Sequence, residues 1–312
     1  MLAYYIDHFN PFIVEFAPGI GLRWYGTAYV AAFLVAWWML KWFARHGYSE
    51  LPENKIDNFI AGVALFGVLL GGRLGYALFY DPGMFREPLS LLRVWDGGMA
   101  SHGGMLGVFL FVLGYAWRHK ISPLGLGDNL VVVAPLGIFF GRCANFINGE
   151  LYGRPTTVPW AVQFPHELLD PRHRDLAAQA VAACEKFSLD SPGAIVHAAM
   201  SSEPVRDALA GILTPRHPSQ LYAALLEGLL LFIALWLLRT RTRVPMGVTS
   251  GAFFLLYAAG RIFGEQFREP DAYVAFTLGL TRGQFLSTFM ILIGIALIGI
   301  AYWRRRSGKH RS

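Results

Sequence analysis

Charge is scarce in this chain. Only 15% of its 312 residues are Asp, Glu, Lys or Arg, against about 25% in a soluble globular domain. With 54% apolar residues and positive mean hydropathy, that scarcity excludes an ordinary water-soluble enzyme and points to a membrane protein. Cysteine is nearly absent. Cys143 in an apolar run and Cys184 in a polar loop make no disulfide framework. The nine histidines fall in no HxH or HExxH spacing, so no metal site is expected. No G-x-S-x-G elbow or P-loop is present, and no cofactor is implied. The N-terminus, MLAYYIDHFNPFIVEF, lacks a basic start and carries Asp7, Pro11 and Glu15, so it does not read as a cleaved signal peptide. No internal repeat is visible.

What the chain does have is long apolar runs. A spanning helix needs about 20 mostly apolar residues. Seven stretches qualify or nearly so: 24–43, 59–80, 99–117, 129–147, 221–238, 247–267 and 284–303. The third and fourth are weaker, interrupted by Gly, Pro and polar residues. The formal charge of +6 sits in short loops, not in a groove suited to nucleic acid. Lys41, Arg45, Lys55, Arg118, Lys120, Arg239, Arg241, Arg243 and the tail residues Arg304, Arg305, Arg306, Lys309 and Arg311 all fall on one side if there are seven spans. The positive-inside rule makes that side cytoplasmic, with the N-terminus outside and the C-terminus inside. The expected fold is therefore an all-α polytopic membrane protein with seven transmembrane helices and a small outer subdomain. The whole of 1–312 forms one integral membrane domain, with 149–219 inserted on the outer face between helices four and five. A short strand near 160–164 and helices near 174–187 and 203–212 are expected there. The outer connection 81–98, with Leu89, Leu91, Leu92, Val94 and Trp95, suits an interfacial segment. Another outer connection is 268–283.

Charges at bilayer depth are costly and usually face a protein interior or wet cavity. Arg73, Arg142, Glu227, Arg261 and Glu265 are the expensive ones. They can pair off as internal salt bridges. Arg142 and Arg261, however, lie near expected outer helix ends, where their planar forks suit an anionic lipid head group. His102, at an outer helix end with Gly103 and Gly104 leaving room beside it, is either a packing residue or a proton carrier. Ser219 opens helix five as a candidate cap. Small residues in GVLLGGRLGYA and HGGMLGVFLFVLG suit close helix packing. Tyr25, after Trp24, is by default an interfacial aromatic.

Five ordered stretches carry a family resemblance: RWYG at 23–26, HGGMLG at 102–107, GRCANFINGELYG at 141–153, HPSQLYAALLEG at 217–228 and GRIFGEQFREPD at 260–271. Together they resemble the bacterial prolipoprotein diacylglyceryl transferases. The signature runs G-R-x-[GA]-N-F-[apolar]-N-x-E-x-x-G, and the resemblance covers essentially the whole chain apart from about 166–213. It implies transfer of the diacylglyceryl group of phosphatidylglycerol to the lipobox cysteine thiol of a preprolipoprotein, forming a thioether and releasing glycerol phosphate. It also implies a multi-pass protein of the bacterial inner membrane, with the active site facing the periplasm. The matching candidates are His102, Arg142, Arg261, Glu265 and Tyr25 for catalysis, and Asn145, Glu150, Tyr257, Asn148 and Gly153 for substrate binding. Arg142 and Arg261 are expected to hold phosphate, with Asn145 and Glu150 positioning Arg142 or bonding the glycerol hydroxyls. His102 or Glu265 is the base. Cys143 fills the variable slot of the signature and is read as a packing residue. A transporter for an anionic solute, or a non-catalytic lipid scaffold, are the other readings of membrane arginines. Against a transporter, no inverted repeat is evident.

Overall fold

The structure, a computed structural model, describes residues 4–17, 19–93, 97–269 and 281–309. Val94 and Trp95 of the expected interfacial segment, Pro270 and Asp271 of the fifth motif, most of the 268–283 connection and Arg311 lie outside them. Helix dominates. Among the described residues, five helices are long and apolar enough to cross a membrane: Trp24–Arg45, Glu53–Phe79, Pro123–Ile147, Ser219–Arg241 and Gly283–Ser307. Val248–Gly264 is apolar but has only 17 residues. Ser101–His119 has the length, but Ser101, His102, four glycines and Arg118 dilute its hydropathy. The protein is thus a mostly helical polytopic membrane protein. Two spans contain π-helical stretches, Val63–Leu70 and Ala224–Leu230.

The backbone divides into two compact units. One comprises Ala32–Ala134, Phe232–Phe253 and Ile293–Ser312. Here glycines let two helices meet backbone to backbone. A Cβ at Gly103 would lie 2.5 Å from the Gly71 carbonyl oxygen and 2.7 Å from the Gly75 Cα. Gly103 is therefore taken up by helix contact, whereas a Cβ on Gly104 would meet only the Val68 carbonyl oxygen at 3.7 Å, so of the two glycines expected to leave room beside His102 only Gly104 does. Arg73, for which an internal salt bridge is one reading, pairs with no carboxylate among the described residues. Its guanidinium donates to the carbonyls of Ser90 (2.6 Å), Leu91 (3.2 Å), Arg93 (2.9 Å), Gly98 (3.0 Å) and Gly97. One buried side chain thereby ties the 81–98 connection to the Gly71–Phe79 helix, leaving Leu89 and Leu92 exposed. Asp128 accepts from the backbone N–H of Gly247 and Ser250 and from the Ser250 hydroxyl, so it caps the Val248–Gly264 helix from a neighbouring element.

The other unit comprises Met1–Ala31, Pro135–Leu231 and Phe254–Leu292. Its first feature was not expected. Phe12–Ala17 and Ile20–Arg23 pair as an antiparallel hairpin before the first long helix, turning at Gly19 with φ +75°. Within 149–219 the strand Val162–Gln163 lies between Tyr5–Ile6 and Pro215–Arg216. Helices Arg174–Cys184 and Glu203–Leu209 fall where expected, and a third, Pro192–Ser201, lies between them. They share a small core of Leu168, Ala180, Cys184, Ile195, Ala199 and Leu209. Cys184 is thus a buried helix residue, not a loop cysteine.

A buried ion network closes this region. Arg216 is 1% exposed. Its Nε donates to Glu167 Oε2 at 2.7 Å, and its Nη1 reaches Glu269 Oε2 at 3.2 Å and the Gly153 carbonyl at 3.3 Å. The guanidinium also lies 4.7 Å over the Tyr152 ring. Burial pushes the Tyr152 phenol up to about 12. Removing one partner of a buried pair strands the other charge, at a cost of about 3–5 kcal/mol. Arg216→Met should lower the unfolding free energy by that amount, read from denaturant unfolding of the purified protein. A loss below about 1 kcal/mol would contradict the burial of Glu167.

Asp7 carries a second testable burden. Burial raises its carboxyl to about 7. Between the unfolded value near 4 and about 7 the unfolded state loses the proton first. Stability therefore falls as pH rises through that window and levels off above it. Asp7→Asn should flatten this part of the stability profile and raise stability at pH 8. An unchanged profile would mean that Asp7 is not buried.

Candidate functional site

The signature stretch forms the end of a helix. Pro123–Ile147 closes with Asn148 N–H on the Ala144 carbonyl (2.9 Å), Glu150 N–H on the Asn145 carbonyl (3.1 Å) and Gly149 in the left-handed region at φ +64°. Only glycine takes that conformation without strain. A Cβ there would also meet His166 Nδ1 at 2.7 Å. Arg142 and Asn145, three apart, share a helix face.

The Ser219–Arg241 helix supplies the partner. Gly228 lets it approach the Pro123–Ile147 helix closely, since a Cβ there would lie 2.7 Å from Phe139 Cβ. The adjacent Glu227 sits in the π-helical turn and is 1% exposed. Such turns commonly mark functional sites. Glu227 bridges both arginines: Oε2 is 3.5 Å from Arg142 Nη2 and Oε1 is 3.5 Å from Arg261 Nη1. Arg261, in the last turn of Val248–Gly264, also pairs with Glu265 at 2.5 Å. A cation is favoured at that helix end. The phenol of Tyr257 lies within Coulombic reach of Glu227, Arg261, Arg142 and Arg268.

These groups face a small cavity, about 20 Å³ where enclosed and about 290 Å³ counting space open to solvent, lined by Arg142, Ser219, Gln220, Glu227, Arg261 and Arg268, among others. The enclosed part is far below the size of ligand pockets, about 300–1,000 Å³, and has room for about one water, so seating a head group requires the cluster to open. The chemistry of the wall is anion-binding. Charge-assisted N–H···O bonds normally measure about 2.7–2.9 Å. Both arginine contacts with Glu227 are longer, and Glu227 Oε2 is buried without a hydrogen bond. The Arg142 fork therefore keeps donors available for an entering oxyanion.

The structure gathers Arg142, Arg261, Glu265 and Tyr257 around Glu227. Asn145 is nearby in sequence but otherwise engaged. Its Nδ2 donates to Glu150 Oε1 at 2.7 Å, so the two expected supports of Arg142 hold each other while Glu227 holds Arg142. Asn148 presents a buried Oδ1 without a hydrogen bond. Gly153 has a backbone role. A Cβ there would lie 2.5 Å from the carbonyl oxygens of both His217 and Phe267, so only glycine lets the three segments cross. Its N–H donates to the His217 carbonyl at 2.9 Å. Tyr25 lies 5.6 Å from the Tyr29 ring, one helical turn on. His102 belongs to the other unit. It is exposed at the start of Ser101–His119, and among the described residues its imidazole makes no hydrogen bond.

Four polar residues of the cavity wall were not singled out as site residues from sequence: Glu227, Ser219, Gln220 and Arg268. Glu227 had a signal, as a carboxylate at bilayer depth. Ser219 does not cap its helix. Pro218 occupies the cap position, and the Ser219 hydroxyl donates to the Leu151 carbonyl at 3.0 Å. Gln220 Nε2 donates to the Glu150 carbonyl at 2.7 Å. These two bonds fasten the signature's exit to the start of the next span. No spacing rule reveals such side chain–backbone bonds.

Comparison with known proteins identifies the family. The sequence profile described as prolipoprotein diacylglyceryl transferase matches residues 11–300. The chain is 38% identical to the phosphatidylglycerol–prolipoprotein diacylglyceryl transferase of Bdellovibrio bacteriovorus, covering 96% of this chain and 94% of that protein. It is 41% identical to the protein of the same name from Rhodospirillum centenum, with 93% and 90% covered. With that from Azospirillum brasilense it shares 40% identity over 98% of each.

Proposed function

The chain belongs to the prolipoprotein diacylglyceryl transferase family, and we propose that its Arg142–Glu227–Arg261 cluster holds the phosphate of the lipid donor. The enzyme transfers a diacylglyceryl group from phosphatidylglycerol to the lipobox cysteine thiol of a preprolipoprotein. The observation that carries the site assignment is the pair of arginine forks lining one cavity with a single buried carboxylate between them.

In the reaction the substrate thiol loses its proton, because the thiolate is the nucleophile and a free cysteine has pKa about 8.5. The sulfur attacks the glycerol carbon bearing the phosphate ester. An S–C bond forms, the C–O bond to phosphate breaks, and glycerol phosphate leaves with the electron pair. Arg142 and Arg261 orient the phosphate and stabilise the charge that develops on the leaving group. Glu227 keeps the two like-charged forks together. Arg268 adds a third cation to the cavity wall. Asn145, Asn148, Glu150 and Tyr257 serve the head group around this cluster, with Gly153 setting the backbone that carries them. Tyr25 assists from the start of the first span. His102 is the base. Its uncommitted imidazole supports that role, whereas Glu265 is already held by Arg261 at 2.5 Å.

The topology proposed with this is seven spans in one integral membrane domain, 1–312, counting Ser101–His119 and Val248–Gly264. The positive-inside pattern places the N-terminus in the periplasm and the C-terminus in the cytoplasm of a bacterial inner membrane. The insertion 149–219 and the cavity then face the periplasm.

The experiment is direct. Purified protein is given phosphatidylglycerol and a lipobox peptide, and the peptide cysteine is examined by mass spectrometry. A gain of one diacylglyceryl group, with glycerol phosphate released, is expected. No gain would overturn the reading. Cys143 takes no part, because the reacting thiol is the substrate's. Cys143→Ala should retain near-normal turnover in the same assay, and abolished turnover would point to a covalent enzyme intermediate.

A further inference from the structure

Far from this cavity in sequence, one turn between two helices has features that transfer chemistry does not use. Ser101–His119 ends in a cap at Lys120, and the chain re-enters helix at Pro123. A groove of about 1000 Å³, counting space open to solvent, is lined by Leu113, Ala116, Trp117, Ile121 and Pro123 with Arg118 and Lys120 beside them. Trp117 is 83% exposed. Among the described residues neither Arg118 nor Lys120 has an ionic or hydrogen-bonded side-chain partner, unlike Arg45, Arg73 or Arg239 in the same unit. The nearby charges are otherwise engaged. Glu50 accepts from Ser122 N–H at 2.7 Å, and His119 stacks on Tyr115 at 4.0 Å.

Lys120 is the second, independent observation. It caps the helix in the left-handed conformation, φ 56° and ψ 40°, with Ile121 N–H on the Ala116 carbonyl at 3.1 Å. Glycine is the usual residue there, because a Cβ is disfavoured. The lysine at this position brings a side chain despite the backbone strain, as Leu151 and Ser188 do elsewhere, and strain of this kind concentrates at binding sites.

We propose that this groove is a binding site for an acidic phospholipid, separate from the transfer site. Lys120 and Arg118 hold the phosphate, and Trp117, Leu113 and Ile121 lie along an acyl chain. The shared chemistry is a phosphate next to an apolar wall. The location at a helix end in a membrane protein selects a lipid of the surrounding leaflet over a free phosphate. Each basic residue near an acidic membrane surface contributes about 1 kcal/mol, so two should give a preference for acidic over zwitterionic lipid on the order of tenfold.

The test uses the full chain in nanodiscs carrying brominated-chain lipid. The fluorescence of Trp117 is taken as the difference between the wild type and Trp117→Phe. Brominated phosphatidic acid should half-quench it at about a tenth of the fraction needed for brominated phosphatidylcholine. Arg118→Gln with Lys120→Gln should erase the preference and leave transfer turnover unchanged. Lys120→Gly relieves the cap strain, so it should fold well and still lose most of the preference. Equal quenching by both lipids in the wild type overturns the proposal, as does a preference that survives both variants. Free inorganic phosphate competing away the acidic-lipid quenching would assign the site to phosphate alone and also overturn it.

Discussion

Alanine at Arg142 should lower transfer by about 10²–10³-fold, the usual effect of removing one preorganised donor to a developing anion. Lysine should recover part of this loss. Its ammonium restores the charge but not the planar fork that meets two phosphate oxygens at once. The order expected at Arg142 is therefore Arg, then Lys, then Ala. At Arg261 the loss should be at least as large, because that guanidinium also holds Glu227 at 3.5 Å and Glu265 at 2.5 Å. Removing it frees two carboxylates into an anion site. The measurement is the initial rate of peptide adduct formation across a range of phosphatidylglycerol. Both kcat and KM should worsen if the forks bind the phosphate before and during transfer. Equal rates for the lysine and alanine variants of Arg142 would argue against a two-oxygen contact.

His102→Gln should slow transfer by about 10²–10⁴-fold, the range for loss of a positioned base. The substitution keeps polarity and approximate size while removing the imidazole. Since the His102 side chain is exposed and makes no hydrogen bond among the described residues, the protein should fold and insert as before. The loss should shrink at high pH, where more of the substrate thiol ionises without help. Near-normal turnover of His102→Gln would remove the assignment and leave Glu265 as the base.

Five of the seven expected spans were legible because a membrane helix is a local property, a run of apolar residues of sufficient length. Expected and observed limits of the fourth span coincide at residue 147, and the first begins at Trp24 in both. The pair Arg142 and Arg261 was legible for a related reason, as charge where lipid should be. What stayed hidden depends on contacts between distant segments. Glu227 meets Arg142 and Arg261 only because three distant helices bring these residues together. Gly153 becomes indispensable only where three segments cross. Arg73 could be read as half of a salt bridge, and instead it satisfies five carbonyls of a distant connection built of two short 3-10 turns. The 12–23 hairpin was missed because its strands keep large apolar residues exposed, among them Phe16 and Ile20, without the alternation that marks a half-buried strand.

The most direct test of the phosphate site is an experimental structure of the protein with phosphatidylglycerol bound. The account predicts phosphate oxygens within hydrogen-bond distance of the guanidinium groups of both Arg142 and Arg261, beside Glu227. A phosphate held elsewhere, with the Arg142–Glu227–Arg261 group unchanged and closed on itself, would contradict it.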